Sequence, residues 1–254
     1  MGRVMLEVID LAKYFGGVKA LDGVTLKVSE GSVVGLIGPN GSGKTTLFNV
    51  VTGFYEPTRG EVWFLGERID GLNPNEVYMK GIVRTFQIPR LFNSLTVLEN
   101  ILIPPPKQVG ESILNAVLRR GKWSKQEVEL ARKAYELLRT FRMAAYARLK
   151  PTGLSAAHIK MLETLRGLMG NAKILLLDEP AAGVSYDVAR EMFKFILKLR
   201  DEMGLTFFII EHRLEVLMEF VDYVYVLHNG KLLSEGKPDE VMNDPKVIEA
   251  YIGE

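Results

Sequence analysis

The sequence predicts an α/β fold with a helical segment inserted into a parallel sheet. Residues 174–177 and 205–210 are continuous apolar runs, as is typical of strands buried on both faces of a parallel sheet. Between them, residues 186–203 have the spacing of a long amphipathic helix. From about residue 97 to residue 146 the pattern is helical instead, which indicates a helical subdomain within the α/β core.

The first part of the chain reads mainly as strands. Residues 4–9 and 20–28 have strand character, and the second of these alternates apolar and polar residues. Residues 33–37 form a short apolar run that leads into a glycine, which predicts a buried strand. A helix over residues 43–51 and a strand over residues 61–65 are expected to follow.

One helix of the inserted segment has a recognisable start signal. Ser124 suits an N-cap position, and Glu127 three residues later completes the pattern of a capping box. Apolar residues then recur at approximately helical spacing. The sequence therefore predicts a helix over residues 124–141.

Composition excludes several classes of site and partner. A net charge of +1 over 254 residues gives no electrostatic reason to expect nucleic acid as a partner. The chain has no cysteine, which excludes disulfides, thiolate zinc sites and a cysteine nucleophile. Glu7 and Asp10 lie where a secretory signal would be apolar. The apolar runs are far shorter than the roughly 20 residues of a membrane span, so work at a membrane would need another chain as the anchor.

Residues 38–45 match the phosphate-binding pattern G-x-x-x-x-G-K-[ST]. Glycines let backbone N–H groups surround phosphate oxygens, and the N-terminus of the next helix adds free donors. Lys44 is expected to neutralise the β- and γ-phosphates and Thr45 to ligate Mg²⁺. Since the motif follows a predicted strand and opens a predicted helix, we expect the cofactors ATP and Mg²⁺. The expected nucleotide-binding residues of this loop are Gly38, Pro39, Asn40, Gly41, Ser42, Gly43, Lys44, Thr45 and Thr46.

Further candidates lie at the ends of predicted strands, where open α/β sheets bind their ligands. Asp178 is the expected Mg²⁺ partner, and Glu179 is placed to polarise the attacking water. His212 directly follows an apolar strand, so its imidazole is expected to contact the γ-phosphate or orient the water. Gln87 ends another strand-like run, and its amide is expected to reach the metal or the water. The predicted catalytic residues are Glu179, His212, Lys44 and Gln87, and the predicted metal ligands are Thr45, Gln87 and Asp178.

This order of motifs resembles the ATP-binding cassette subunits of ABC transporters, over essentially the whole chain. The resemblance implies a P-loop NTPase core with an N-terminal antiparallel β subdomain and an inserted α-helical subdomain. The β subdomain and core would occupy residues 1–96 and 164–254. The helical subdomain, with the family's signature region, would occupy residues 97–163.

The resemblance also implies a function and partners. The cassettes hydrolyse ATP in a head-to-tail dimer and drive an integral-membrane permease, which would place this chain on the cytoplasmic face of the cell membrane. Phe15 matches the aromatic residue that stacks on adenine, with Tyr14 as the alternative. Residues 15–17, 84–92 and 178–183 are similar to the ATPases of branched-chain amino acid importers, which implies transport of these or related small polar solutes. A soluble ABC ATPase with no link to transport is the alternative.

The signature region departs from the family pattern, which is usually written LSGGQ. Leu154 and Ser155 match it, while Ala156 and Ala157 replace the two glycines and His158 replaces the glutamine. In the family, the serine and the glycine backbone close on the γ-phosphate held by the partner's P-loop. The resemblance therefore assigns Ser155, Ala156, Ala157 and His158 to the partner's nucleotide rather than to this chain's own.

Three interpretations of the altered signature stay open. The favoured one is an asymmetric heterodimer with a homologous ATPase subunit, in which the site completed by this signature is slow or only holds nucleotide. In the second, Ser155 and the helix dipole suffice, both sites work, and a homodimer is possible. In the third, the alanines were introduced deliberately. A nucleotide-binding subunit with little hydrolysis is a further alternative, against which the intact Lys44, Asp178, Glu179 and His212 argue.

Overall fold

The chain forms two compact units. One comprises Met1–Gln87 with Lys173–Glu254, and the other comprises Ile88–Ala172. Helix Ala156–Met169 runs past residue 163 without a break, so the second unit extends beyond the range 97–163 expected from the sequence. The computed structural model describes residues 2–86, 90–106, 108–111 and 120–252.

The first unit contains an antiparallel sheet of four strands in the order β2-β1-β4-β5. Strand β1 continues well beyond the predicted residues 4–9. Asp10 adopts a positive φ of 45°, and the pairing of β1 with β2 shifts register between Val8 and Leu11. This bulge breaks the period-two alternation, which is why the pattern ends early although the strand does not. The strands are β1 Val4–Phe15, β2 Val18–Ser29, β4 Arg59–Phe64 and β5 Glu67–Arg68.

A six-stranded sheet follows the order β10-β9-β3-β8-β7-β6, and only the pairing of β10 with β9 is antiparallel. Strands β3, β7 and β8 are buried along their whole length, as their apolar sequences predict. Leu36 and Asp178 both lie opposite Ile210, so these three strands end at the same level. The strands are β3 Val33–Ile37, β6 Ile82–Arg84, β7 Ile174–Asp178, β8 Thr206–Ile210, β9 Tyr223–His228 and β10 Lys231–Gly236.

Helices of the first unit pack against these sheets. The predicted helix over residues 186–203 is present with the same limits, and its apolar face buries Met192, Phe193 and Ile196. The helix after β3 begins at Lys44, with Gly43 in the N-cap position. The helices are α1 Lys44–Val51, α2 Pro74–Lys80, α6 Tyr186–Met203, α7 Leu214–Leu217, α8 Pro238–Met242 and α9 Pro245–Ile252.

One hydrophobic core serves both sheets of the first unit. It joins Leu6 and Val8 of the antiparallel sheet to Leu36 and Phe208 of the parallel sheet. Phe48 of α1 packs into the same core, with its ring centroid 5.2 Å from that of Phe208. Because full burial of such a side chain stabilises the fold by about 1.5–3 kcal/mol, this core holds α1 and the loop before it in place.

The second unit is helical in its described part. Ser124 lies inside α4 and does not cap it, so the predicted start at residue 124 is wrong. A capping-box pattern needs only two residues at the right spacing, so it can occur within a helix. Here the helix extends on both sides of Ser124. The helices are α3 Val97–Leu102, α4 Arg120–Thr140 and α5 Ala156–Met169, with 3-10 turns at Val109–Glu111, Ala144–Tyr146 and Pro151–Gly153. Within the described ranges of the chain, no helix combines the length and apolar character needed to span a membrane.

Candidate functional site

The loop between β3 and α1 has the backbone that its glycines predict. Gly38 has φ 147°, and a Cβ there would lie 2.0 Å from the Leu227 carbonyl oxygen. Gly43 has φ 105°, and its Cβ would lie 2.5 Å from the Ala20 carbonyl oxygen. Any side chain at either position would collide with backbone, so the tight turn requires glycine. The N-terminus of α1, with its free N–H groups, therefore lies directly at the end of this loop.

Lys44 lies under this loop and is almost fully buried. Its Nζ donates to the carbonyl oxygens of Gly38 and Pro39 at 2.6 and 2.8 Å, and it lies 3.4 Å from Ser42 Oγ. These contacts fix the ammonium group inside the curve of the loop. A buried cation at a helix N-terminus makes this point strongly attractive to a phosphate group.

A cavity of about 540 Å³ opens over the loop. Residues 40–46 of the loop line it, which includes Lys44, Thr45 and Thr46. Glu179 and His212 line the same cavity, although they are far from the loop in sequence. The parallel register explains this convergence, because β3, β7 and β8 end level and their following residues emerge at one edge of the sheet.

Glu179 and His212 form a pair in this cavity. His212 Nε2 lies 3.2 Å from Glu179 Oε1, and the two side chains are 40% and 19% exposed. Glu179 has φ 51°, an uncommon conformation for a residue other than glycine, and its N–H donates to the Ile210 carbonyl at 2.9 Å. Strained backbone of this kind is concentrated at functional sites, where surrounding contacts enforce it.

Asp178, the last residue of β7, is buried. Its Oδ2 accepts a hydrogen bond from Arg84 Nη2 at 2.9 Å, and its N–H donates to Thr85 Oγ1 at 3.4 Å. A carboxylate and the Thr45 hydroxyl are hard oxygen donors of the kind that Mg²⁺ accepts beside nucleotide phosphates and water. The donor chemistry present in the chain therefore fits this metal.

Glu211 is a buried carboxylate that no sequence pattern predicted. It is 1% exposed. Its Oε1 accepts from the N–H of Ala181 at 2.9 Å, and its Oε2 accepts from the N–H groups of His212 at 2.8 Å and Arg213 at 3.4 Å. Burial raises the pKa of Glu211 above its ordinary value. The backbone hydrogen bonds lower this pKa, but the effect of burial is larger. The side chain ties the segment after Asp178-Glu179 to the segment that carries His212.

The two candidate aromatic residues for adenine differ in their surroundings. Phe15 is 43% exposed, and its ring packs edge-on against Tyr55 with centroids 5.2 Å apart. The Tyr14 hydroxyl instead donates to Asp22 Oδ1 at 2.8 Å, which raises the pKa of Tyr14. The Lys13 ammonium lies 5.1 Å from the centroid of the Phe15 ring, so what separates the two candidates is that the Tyr14 hydroxyl is held by Asp22. Neither residue lines the cavity over the P-loop.

The remaining predicted residues are Gln87 and those of the altered signature. Gln87 is outside the described residues. The altered signature begins α5 in the second unit, where Ser155 is the N-cap residue and its Oγ accepts from the His158 N–H. Ala156 and Ala157 form the first turn, and neither has a positive φ. The alanines are therefore accommodated without the backbone strain expected for a glycine-only conformation, and what distinguishes them from glycine is the bulk of their methyl groups.

Arg84 and Glu211 were not predicted as site residues. Both are unusual at their positions in the sequence, but a local pattern does not tell what they contact. Arg84 is a charged residue in the otherwise apolar run that leads to Phe86, and Glu211 is an acid directly after a buried strand. Each has a partner that is distant in sequence, Asp178 for Arg84 and the Ala181 N–H for Glu211. A charged residue within a buried segment must have a compensating partner, but the sequence does not identify that partner.

Comparison with known proteins identifies the family. Residues 21–182 match the family model described as ABC transporter, and residues 231–254 match the model described as branched-chain amino acid ATP-binding cassette transporter. A probable branched-chain amino acid transport ATP-binding protein LivG of Archaeoglobus fulgidus is 42% identical, over 98% of this chain and 95% of that protein.

Solved structures agree with this assignment. A nucleotide-free ATP-binding cassette from an ABC transporter superposes with a TM-score of 0.86 and 43% identity, over 99% of this chain and 100% of that one. The ADP conformation of another such cassette gives a TM-score of 0.85 and 42% identity, over 99% of both chains. The predicted fold and the family resemblance are both confirmed. The chain belongs to the ABC transporter family, as one of its ATP-binding, ATP-hydrolysing cassettes.

Proposed function

We propose that this chain is the motor subunit of an importer for branched-chain amino acids or related small polar solutes. It binds ATP with Mg²⁺ at the P-loop, and it works on the cytoplasmic face of the membrane, held there by an integral-membrane permease. The observation that carries the proposal is the shared cavity in which P-loop residues meet the Glu179–His212 pair. The proposal is supported because the loop residues expected to bind phosphate line the same cavity as this carboxylate and imidazole.

The chain's own residues divide the work of hydrolysis. The loop N–H groups and the Lys44 ammonium bind the β- and γ-phosphates and stabilise the negative charge of the transferring group. Glu179 orients the attacking water and accepts its proton. His212, 3.2 Å from Glu179, holds that carboxylate and contacts the γ-phosphate. Positioning and electrostatic stabilisation account for most of the catalysis, since phosphoryl transfer requires little covalent chemistry from the protein.

Mg²⁺ would be held by the Thr45 hydroxyl and, through water, by Asp178. The metal supplies Lewis-acid neutralisation of charge on the phosphate oxygens. Gln87 remains our proposal for the residue that reaches metal or water. Phe15 is proposed to stack on adenine, because it is 43% exposed while the Tyr14 hydroxyl is held by Asp22.

The proposed cargo rests on two similarities. The last 24 residues of the chain match the branched-chain model, and the Archaeoglobus relative carries a branched-chain transport name. The cargo itself would be bound by other components, because the cavity described above is shaped by nucleotide-binding residues. We propose a permease and a homologous ATPase subunit as partners, with a heterodimer favoured over a homodimer.

The altered signature supports the heterodimer. A partner with an unaltered signature would complete the nucleotide site on this chain's P-loop and make it the hydrolytic one. The signature of this chain, with methyl groups at Ala156 and Ala157, would complete the second site. The larger residues limit the approach of the helix N-terminus to the γ-phosphate, so the second site would be slow.

Uptake by reconstituted vesicles tests the proposal. The chain is co-expressed with its permease and partner ATPase, purified as a complex and placed in proteoliposomes with the solute-binding component and labelled leucine. We expect ATP-dependent leucine uptake that is lost with Lys44→Ala in this chain. Hydrolysis without uptake of branched-chain amino acids or of related small polar solutes would refute the cargo assignment, and absence of hydrolysis would refute the motor role.

A further inference from the structure

Arg84 is a buried cation next to the proposed metal ligand. It is the last residue of β6, and its side chain is only 6% exposed. Arginine is among the residues least often buried, because removing its charge from water is costly without compensating partners. Its burial at the functional edge of the sheet therefore requires an explanation.

The contacts of Arg84 link three elements of the first unit. Nη2 donates to Asp178 Oδ2 at 2.9 Å, at the end of β7, and Nη1 donates to Asn49 Oδ1 at 2.6 Å, on α1. The rings of Phe48 and Phe86 lie 5.6 and 5.3 Å from the guanidinium carbon. Both rings are within the range of cation–π attraction, which favours a charged guanidinium in an otherwise apolar setting.

These contacts restrict how Asp178 can turn. The Asp178 side chain is 8% exposed, and Arg84 holds one of its two oxygens. Within the described part of the chain Oδ1 accepts no hydrogen bond, so this oxygen is the one available to a metal-bound water. Asn49 fixes the other end of the guanidinium to the helix that starts at Lys44, so the carboxylate is oriented with respect to the phosphate-binding loop.

We propose that Arg84 is a positioning residue, which aligns Asp178 for Mg²⁺ and couples its position to α1 through Asn49. This inference rests on the function proposed above, since it concerns the metal of the same nucleotide site. Arg84 acts through the two side chains that its guanidinium contacts, Asp178 and Asn49. Its planar fork is what the role requires, because one flat group satisfies the carboxylate, the amide and two ring faces at once.

Arg84→Lys is the primary test variant. Lysine keeps the positive charge that compensates Asp178, but a single ammonium group cannot reproduce the fork or its packing between two rings. Asn49→Ala is the second variant, which keeps the Arg84–Asp178 pair and removes only the link to α1. The matched control is Arg68→Lys, at another arginine that pairs with an aspartate, Asp70, but on the antiparallel sheet.

The measurement is the binding of a fluorescent ATP analogue to the full chain, first with EDTA and then as a titration with Mg²⁺. Thermal unfolding is recorded for every variant. Arg84→Lys is expected to leave the metal-free affinity within about twofold and to raise the half-saturating Mg²⁺ concentration about tenfold, as second-shell changes do. Asn49→Ala is expected to raise the half-saturating Mg²⁺ concentration by a smaller factor. Arg68→Lys is expected to leave this concentration unchanged.

The outcomes separate this inference from the proposed function. Equal losses of metal-free and Mg²⁺-dependent affinity in Arg84→Lys would overturn the inference, because they would indicate general damage to the site. So would an unchanged Mg²⁺ response in a variant that unfolds at the normal temperature. If the unaltered chain itself shows no Mg²⁺-dependent nucleotide binding, the proposed function fails as well.

Discussion

The Ser155 hydroxyl lies 2.8 Å from Nδ1 of His158. The imidazole ring also packs on Tyr146, with ring centroids 4.4 Å apart. The residue that replaces the signature glutamine therefore holds the signature serine. In the dimer proposed above this hydroxyl would face the partner's γ-phosphate, where its contact with His158 would compete with the nucleotide.

Ser155 also stabilises α5 as its N-cap residue. Ser155→Ala is expected to lower the free energy of unfolding by about 1 kcal/mol, because a backbone donor of the first turn loses its acceptor. Urea denaturation followed by circular dichroism measures this change. Ser155→Asp is the control, since aspartate caps equally well and should be nearly neutral. Equal stability of Ser155→Ala and the original chain would contradict the capping role.

The asymmetric heterodimer makes opposite predictions for the two nucleotide sites. Lys44→Ala in this chain is expected to reduce ATP hydrolysis by the assembled complex by about 100-fold or more, because a principal electrostatic contact to the transferring phosphate is lost. The equivalent change in the partner's P-loop should have a much smaller effect. The measurement is steady-state phosphate release by the purified complex. Intact hydrolysis in the Lys44→Ala complex would rule out the asymmetric scheme.

Tyr225 joins the two sheets and gives stability a dependence on alkaline pH. Its hydroxyl donates to the Lys27 carbonyl at 2.8 Å and accepts from the Lys27 N–H at 3.0 Å. Burial is the main cause that raises its pKa to about 12 from the ordinary 10.0. Since the folded state favours the neutral phenol, its contribution is fully present below pH 10 and is lost as pH rises through about 12.

Tyr225→Phe tests this contribution. At pH 8 the variant should be less stable by about 1–2 kcal/mol, since two hydrogen bonds to a strand are lost. Between pH 10 and pH 12 the difference from the original chain should shrink, as the original tyrosine ionises. Thermal unfolding of both proteins across this pH range provides the comparison. A constant difference at every pH would show that the phenol does not titrate with folding.

The Glu179–His212 pair predicts coupled effects on hydrolysis. Because Nε2 and Oε1 are 3.2 Å apart, the two side chains should act as one unit. Glu179→Gln and His212→Ala should each reduce single-turnover hydrolysis by the complex, and the double variant should lose much less than the product of the two effects. Nucleotide affinity serves as the control and should change little. Strictly multiplicative losses would indicate that the residues act independently.

The sequence predicted the parts of the site that depend on local chemistry. The P-loop, the Asp178-Glu179 strand end and His212 follow from short patterns, because each needs only a strand end or a helix start. The convergence of Glu179 and His212 on one cavity follows from the rule that parallel strands end at one edge. Patterns of the same kind also set the limits of α6 correctly.

What the sequence did not predict depends on contacts between distant residues. Arg84 and Asp178 are 94 positions apart, and no spacing rule pairs them. Glu211 accepts hydrogen bonds from backbone N–H groups, one next to it in the chain and one in the segment after β7. No pattern of side chains predicts such contacts. Ser124 shows the converse error, because a valid capping pattern occurred inside a helix. Local sequence patterns identify residues whose chemistry suits a cap or a site. Tertiary contacts determine which of these residues take that role.

The proposed motor function requires that the P-loop of this chain binds ATP and that Glu179 takes part in its hydrolysis. The most direct measurement compares ATP binding and single-turnover hydrolysis by the assembled complex with and without Glu179→Gln. We predict binding within about threefold of the original and hydrolysis reduced by about 100-fold or more, since the substitution keeps the shape of the side chain but removes the base. Hydrolysis at the original rate, or loss of ATP binding together with hydrolysis, would refute the role of Glu179 as the base.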